Sequence, residues 1–411
     1  MIDYINFPKL NSTNRYYEQK RENWIQLREA LENKRPNFSA YPVRATLQTT
    51  ELCNLQCPMC QISRPGRKLH KMTKVTLENV ARELFPYLVE VHPTNIGEPL
   101  LDENFDLLCS LLRKYGVLLD LTTNGTLLTP QKIQTILPIL LDVKVSVDGV
   151  TQEVFERYRK GASFDQVMRN IEELVRLRAR ASHRQSPTIT LQMTLSRSNY
   201  QELPALIKLA AKMGVDRVKA FPLFSYSLEM DAEILPFREY NQIHASCLKI
   251  ASEEGVIADI AEPYLSADIE EKTVLPLLEN LRLSCQPCHL LWAETWIDTN
   301  GDVFTCHSHA GECAGSITSR NPDTSNRPGN FHSVWQGKFY RSLRKGFQQK
   351  VPIWNCKNCG VPLSKESANQ AIPYDMDGFK AKKSDYRSNS APIRWSSRLK
   401  QFDRRRIYER D

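Results

Sequence analysis

The chain has 411 residues, 41% of them hydrophobic and 25% charged, enough for one large core with one or two appendages. Residues 1–11 lack a basic stretch followed by an apolar core, and the longest apolar run, 136–141, is far short of about 20 residues, so neither a signal peptide nor a spanning helix is expected and a cytoplasmic protein without membrane contact is. The formal net charge of +8 is concentrated in residues 380–411, where 11 Lys or Arg face 4 Asp or Glu and leave only +1 for the other 379 residues, which excludes a general basic face for specific nucleic acid.

In chain order, residues 14–34 read as an amphipathic helix with Trp24, Leu27 and Leu31 at helical spacing, ended by Arg35-Pro36. Strand-like runs then fall at 43–49, 88–95, 117–122, 143–147, 188–195 and 217–221, separated by helix-like runs at 77–85, 103–115, 130–137, 164–180 and 200–213. Six such β-α repeats imply parallel pairing, with ligands at the carboxyl ends of the strands. Residues 225–284 read as mostly helical, and 318–328, rich in Ser, Thr, Asn, Asp and Pro, as a loop. The organisation expected is a helical extension (1–42), a core (43–262), a helical linker (263–284), a second cysteine-bearing domain (285–365) and a basic, flexible tail (366–411) able to contact an acidic partner.

The 11 cysteines are odd in number and cluster beside Pro, Gly and His, which suits metal ligation in a reducing compartment better than a disulfide framework. Cys53, Cys57 and Cys60 fall within eight residues, directly after the first strand. Three thiolates on one loop cannot close a tetrahedral zinc site alone, whereas an iron-sulfur cubane held by three cysteines keeps one iron open to an outside ligand. A structural metal knuckle completed from elsewhere is the alternative. Cys288, Cys306, Cys356 and Cys359 form a second set, and the turn at Asn300-Gly301 would carry Cys306 back beside Cys288, or beside Cys285 in its place. By chemistry alone these four hold either zinc or a 4Fe-4S cluster. Cys109 and Cys247, among apolar neighbours in helical runs, read as core thiols, and His307 and His309 as surface residues.

The spacing C-x3-C-x2-C, with Met59 before the last cysteine, resembles the signature of the radical S-adenosylmethionine (SAM) superfamily. The resemblance implies that the open iron of a 4Fe-4S cluster on Cys53, Cys57 and Cys60 chelates SAM. Gly97, Glu98 and Pro99, after the second strand, stand where the family has a Gly-Gly-Glu-Pro turn at the SAM amino group, with Ile96 replacing the first glycine. By the same likeness Ser146 would be a ribose or carboxylate contact, Arg157 a basic residue near the SAM carboxylate, and Gln192 a residue projecting from the fifth strand. Asn124-Gly125 and Asp148-Gly149 read as turn residues. The element Cys288-x12-Gly301-x4-Cys306, followed by Cys356-x2-Cys359, resembles the auxiliary-cluster segment of relatives. Because no cysteine follows Cys359, it resembles the shortened twitch form of the SPASM domain, with one auxiliary 4Fe-4S cluster.

The fold so implied is α/β, a partial (β/α)6 TIM-like barrel with a small C-terminal α+β auxiliary-cluster domain. The activity implied begins with an electron from a reductant such as flavodoxin or ferredoxin. SAM is then cleaved to methionine and a 5'-deoxyadenosyl radical, which takes hydrogen from an unactivated carbon of a peptide or small-molecule substrate. Cys313, if accessible, would return hydrogen to the substrate radical, which suits epimerisation of a ribosomally made peptide. Two features pull toward a carbohydrate or cyclitol: the shortened auxiliary segment, and the 42 residues before the first strand, too few for the leader-binding module of many peptide-modifying relatives. Peptide maturation is the preferred reading. A non-catalytic zinc or iron-sulfur protein would leave the SAM-side elements without use.

Overall fold

The alternation of small and β-branched side chains along the strand-like runs is resolved by one sheet with one apolar face. The computed structural model describes residues 7–8, 10–63, 66–181, 186–223, 228–261, 290–305, 313–318 and 330–349. After helix α1 (Tyr17–Glu32), strands β1 (Arg44–Leu47), β2 (Glu90–His92), β3 (Leu118–Thr123), β4 (Leu140–Ser146), β5 (Thr188–Leu195), β6 (Arg217–Pro222) and β7 (Ile257–Ile260) pair in that order, all parallel. Between them run α2 (Lys74–Leu84), α3 (Phe105–Tyr115), α4 (Pro130–Ile136), α5 (Gln152–Tyr158), α6 (Phe164–Arg180), α7 (Leu203–Met213), α8 (Leu228–Asp231) and α9 (Phe237–Glu254). Ala45 and Leu47, Leu119 and Leu121, Val143 and Val145, Ile189 and Leu191 turn to the helices and are buried in one core with Leu77, Val80, Leu108, Ile171 and Leu206. Each large apolar side chain so buried contributes roughly 1.5–3 kcal/mol. The alternate residues, among them Arg44, Thr46, Asp142, Lys144, Ser146 and Gln192, occupy the opposite, polar face.

Two elements depart from the sequence reading. Residues 257–260, expected to be helical, form β7, an edge strand of four residues whose short alternation is weak beside the long helix before it. The carboxyl-terminal region also does not build a separate sheet. Strand β8 (Glu294–Ile297) pairs parallel with β1, from Arg44 opposite Glu294 to Leu47 opposite Ile297. Strands β9 (Asp302–Phe304) and β10 (Cys313–Ser316) extend it antiparallel, giving the order β10-β9-β8-β1-β2-β3-β4-β5-β6-β7. The turn expected at Asn300-Gly301 is present, with Gly301 at φ +87° and its N–H donating to Asp298 O at 3.1 Å.

Helix α1 lies against this carboxyl-terminal region. Trp24, Leu27 and Ala30 are buried in a second core with Val43, Leu291, Trp292, Leu343 and Phe347, against the helices Leu290–Ala293 and Lys338–Gln348. Lys20 is buried as well, donating to Phe85 O at 2.5 Å and to Leu88 O; burial lowers its pKa to about 7. The linker 263–284, most of the loop 318–328 and the tail 366–411 lie outside the described residues.

Candidate active site

Parallel pairing brings the carboxyl ends of β1 to β6 to one edge of the sheet, and the cysteine loop, the Gly97 turn and the Asn124-Gly125 and Asp148-Gly149 turns follow the ends of β1, β2, β3 and β4. After β1 the chain enters the cysteine loop. Cys57 is buried, Cys53 and Cys60 are half-buried, and all three are free thiols. They share an apolar cluster with Leu55, Met59, Tyr158 and Leu223. Cys60 N–H donates to Cys57 O at 3.0 Å, and Gln56 N–H to Lys160 O at 3.0 Å, which fixes the loop against the end of α5. The Leu55 N–H reaches Cys53 Sγ at 3.4 Å and the Asn124 side-chain amide reaches it at 3.8 Å. Burial raises the Cys53 pKa, against these two donors. Burial likewise pushes the Cys57 thiol up to about 11, against the pull of the Arg159 guanidinium.

The turn after β2 is built on Gly97, at φ +97°. A Cβ there would lie 2.7 Å from Thr50 O and 3.0 Å from Leu52 O, so the glycine admits the backbone that leads into the cysteine loop. The close approach expected for a ligand is thus already made by the protein's own chain. Gln48, which sequence reasoning passed over, locks this turn: its Oε1 accepts from Asn95 N–H at 2.9 Å and Ile96 N–H at 3.2 Å. Its Nε2 donates to Ile96 O at 2.6 Å and to Thr50 O. Glu98 is 1% exposed; its carboxylate accepts from Leu100 N–H at 3.1 Å, Thr123 Oγ1 at 2.8 Å and Asn124 N–H at 2.7 Å. Burial raises its pKa to about 7 in spite of those bonds. Pro99, buried, opens the 3-10 turn Pro99–Leu101 that follows.

Asn124 keeps the turn role expected of it, with Oδ1 accepting from Thr126 N–H at 2.9 Å. Its Nδ2 also donates to Asn54 Oδ1 at 2.9 Å, so the same residue ties β3 to the cysteine loop. Ser146 and Gln192 are brought together as register partners on β4 and β5. Arg157 is exposed and lies over the Tyr158 ring at 5.2 Å. The guanidinium beside the cysteines is that of Arg159, two residues on. Its Nε is 2.6 Å from Asp148 Oδ2, and Asp148, fully buried, accepts at Oδ1 from Thr194 N–H at 2.7 Å. The signal available for it was the odd placement of an arginine between a tyrosine and the Lys160-Gly161 turn.

Residues 47–210 match the Radical SAM superfamily. The chain carries a radical SAM domain. Among proteins similar over most of this chain is the mycofactocin maturase MftC of Mycolicibacterium smegmatis, 25% identical over 326 residues, or 78% of this chain and 76% of that one. The PqqA peptide cyclase of Gluconobacter oxydans is 25% identical over 281 residues, 65% and 70% of the two chains. Streptococcus suis SuiB bound to its precursor peptide SuiA shares the fold at 15% identity, with a TM-score of 0.56 over 90% of this chain and 83% of that one.

The radical SAM domain's cysteine loop fits a 4Fe-4S cluster. Among the described residues no three His, Cys, Asp or Glu side chains converge as ligands of one ion, but in a cubane each thiolate binds a different iron and the sulfurs stand apart. The loop offers three unbridged thiols, an apolar shell, two donors at Cys53 and a cation beside Cys57. Of the second set, Cys285, Cys288, Cys306, Cys356 and Cys359, with His307 and His309, lie outside the described residues. Cys313 is described: exposed at the start of β10, it donates to Gly315 O at 3.0 Å, and partial desolvation raises its pKa. Cys109 and Cys247 are buried in α3 and α9, as expected of core thiols. Among the described residues no helix is long and apolar enough to cross a membrane.

Proposed function

We propose that this radical SAM enzyme modifies a ribosomally made peptide, abstracting hydrogen from an unactivated carbon, with epimerisation as the outcome. The observation that carries the reading is the loop of three free thiols between the Gly97 turn and the Arg159 guanidinium. A bound cluster and SAM supply the 5'-deoxyadenosyl radical, with one electron from a reductant such as flavodoxin or ferredoxin. The chain's own residues shape that site. Asn124 and the Leu55 N–H offset charge on Cys53, Arg159 offsets it on Cys57, and Gln48 and Glu98 hold the turn of Gly97 and Pro99, which with Met59 of the cysteine loop borders SAM. Ser146, at the end of β4, and its register partner Gln192, within β5, border its ribose and carboxylate.

A peptide substrate is supported by the names of the relatives, a peptide cyclase and a maturase. Cys288, Cys306, Cys356 and Cys359 hold a second, auxiliary 4Fe-4S cluster in this reading. Cys313 returns the hydrogen: its S–H bond breaks, a C–H bond forms on the substrate radical, and one electron and one proton from the reductant system restore the thiol. The deciding experiment is iron and sulfide per chain after anaerobic reconstitution, followed by 5'-deoxyadenosine formation from SAM on reduction. About eight irons with deoxyadenosine is the expected result; zinc without deoxyadenosine overturns it.

A further inference from the structure

A cavity of about 50 Å³ opens at the carboxyl end of β1, walled by Thr46, Asn95, Leu290, Glu294, Trp296 and Thr305. Asn95 belongs to the turn locked by Gln48, and Thr305 follows β9, so the cavity lies between the radical SAM domain and the β8–β9 hairpin. Two polar atoms of this wall, Trp296 Nε1 and Thr305 Oγ1, are buried and lack any hydrogen-bond partner. Thr305 is 1% exposed. An unmade bond of this kind costs about 1–3 kcal/mol, so either side chain gains by turning its donor toward an acceptor brought into the cavity. The Thr305 hydroxyl needs only a χ1 turn to meet it.

The chemistry of the wall selects that group. An indole N–H is a donor only, so the partner is an acceptor. Charge on the same polar face argues against an anion. Arg44, Lys144 and Arg217 are each already paired with acids, Glu90, Asp120, Asp142 and Glu294, in one network, and Glu294 itself is in the cavity wall, 3.0 Å from Arg44. Trp296 and Phe304 lie with ring centroids 5.0 Å apart, adding an apolar floor. Across the sheet, Cys313, Phe304, Trp296 and Thr46 are successive register partners, which puts this floor between the exposed thiol and the strand that enters the cysteine loop.

We propose that the cavity is a substrate subsite that takes a neutral main-chain carbonyl of the peptide, accepting from Trp296 Nε1 and Thr305 Oγ1. It rests on the peptide reading above and names the contact that would register the chain across the Trp296–Phe304 floor. The test uses the full, reconstituted chain with 15N-labelled indoles, the Trp296 signal being assigned by its loss in Trp296→Phe. The probe is N-methylacetamide, with sodium acetate and myo-inositol as comparisons. Expected is a saturable downfield shift of the Trp296 N–H with the amide, absent with acetate and inositol, with half-saturation raised about 5-fold in Thr305→Val, the scale of one net hydrogen bond. No shift, or equal shifts at the other indoles, overturns the subsite; a shift with inositol and none with the amide overturns the peptide carbonyl. The readout involves no SAM cleavage, so its failure leaves the radical reading standing, and absence of deoxyadenosine leaves the subsite standing.

Discussion

Toward the starts of the strands, the sheet's polar face is joined by charge, whereas at their carboxyl ends, a few residues on, the joints are mostly hydrogen bonds of amide side chains, one buried carboxylate and backbone. In the first region Asp120 is reached by Arg44 at 2.9 Å and by Lys144, while Arg44 also holds Glu90 at 2.6 Å. Burial alone would raise the Asp120 carboxyl, but His92, Lys144 and Arg44 beside it hold it well below its usual range. In the second, Gln48 and Glu98 hold main-chain groups of neighbouring loops, Asn124 bonds Asn54 of the cysteine loop, and the cations Arg159 and Arg67 are paired with Asp148 and Glu51. The charged region stabilises the sheet; the carboxyl edge fixes loop positions and leaves thiols and cavity walls available for ligands.

Breaking the functional edge outright has the largest expected effect. Replacing Cys53, Cys57 and Cys60 together by Ala removes deoxyadenosine formation down to the no-enzyme background, while circular dichroism stays that of the parent. Asp120→Ala strikes the other region: it leaves Arg44 and Lys144 short of a buried partner and lowers unfolding free energy by about 3 kcal/mol, measured in urea. Gly97→Ala imposes a Cβ 2.7 Å from Thr50 O at positive φ. It costs about 1–3 kcal/mol and releases iron from the cysteine loop faster than the parent does.

A pH titration sharpens the contrast, since each region holds one glutamate whose pKa burial raises to about 7, Glu98 at the edge and Glu90 in the charged region. Folded protein then binds more protons than unfolded protein between about pH 4.5 and 7. Stability contributed by these groups therefore falls as pH rises through that window and is fully lost above it. Glu98→Gln flattens part of that slope and Glu90→Gln the rest, read from urea midpoints at stepped pH. The smallest effect belongs to Cys313→Ala on the exposed edge strand: stability within about 0.5 kcal/mol, with solvent deuterium no longer incorporated into product. Undiminished incorporation dismisses Cys313 as hydrogen donor.

Much of the β-α order was legible because each strand repeats a period of two and each helix a longer apolar period, as in 188–195, matched by Thr188–Leu195. The cysteine loop and the Gly97 turn were legible as motifs. Gln48 was not, because its role depends on a turn 47 residues away, and Arg159 was passed over for Arg157 because the helix ends at Tyr158 and the non-helical backbone of Arg159 (φ −102°, ψ 58°), which a sequence pattern does not reveal, sets its direction. β7 and the union of β8 with β1 escaped since four-residue strands carry little periodicity and pairing partners lie far apart in sequence.

The pairing of β8 with β1 also bears on how the chain acquires its shape. β1 finds one neighbour, β2, about one helix later, but its other neighbour comes 250 residues downstream. Loop closure over that distance is slow relative to the local β-α pairings. During synthesis β1 thus emerges with one flank unpaired, a template for wrong strands until Glu294–Ile297 arrives. A chain shortened to end at 284 keeps that flank bare for good, and its cysteine loop hangs from an edge strand.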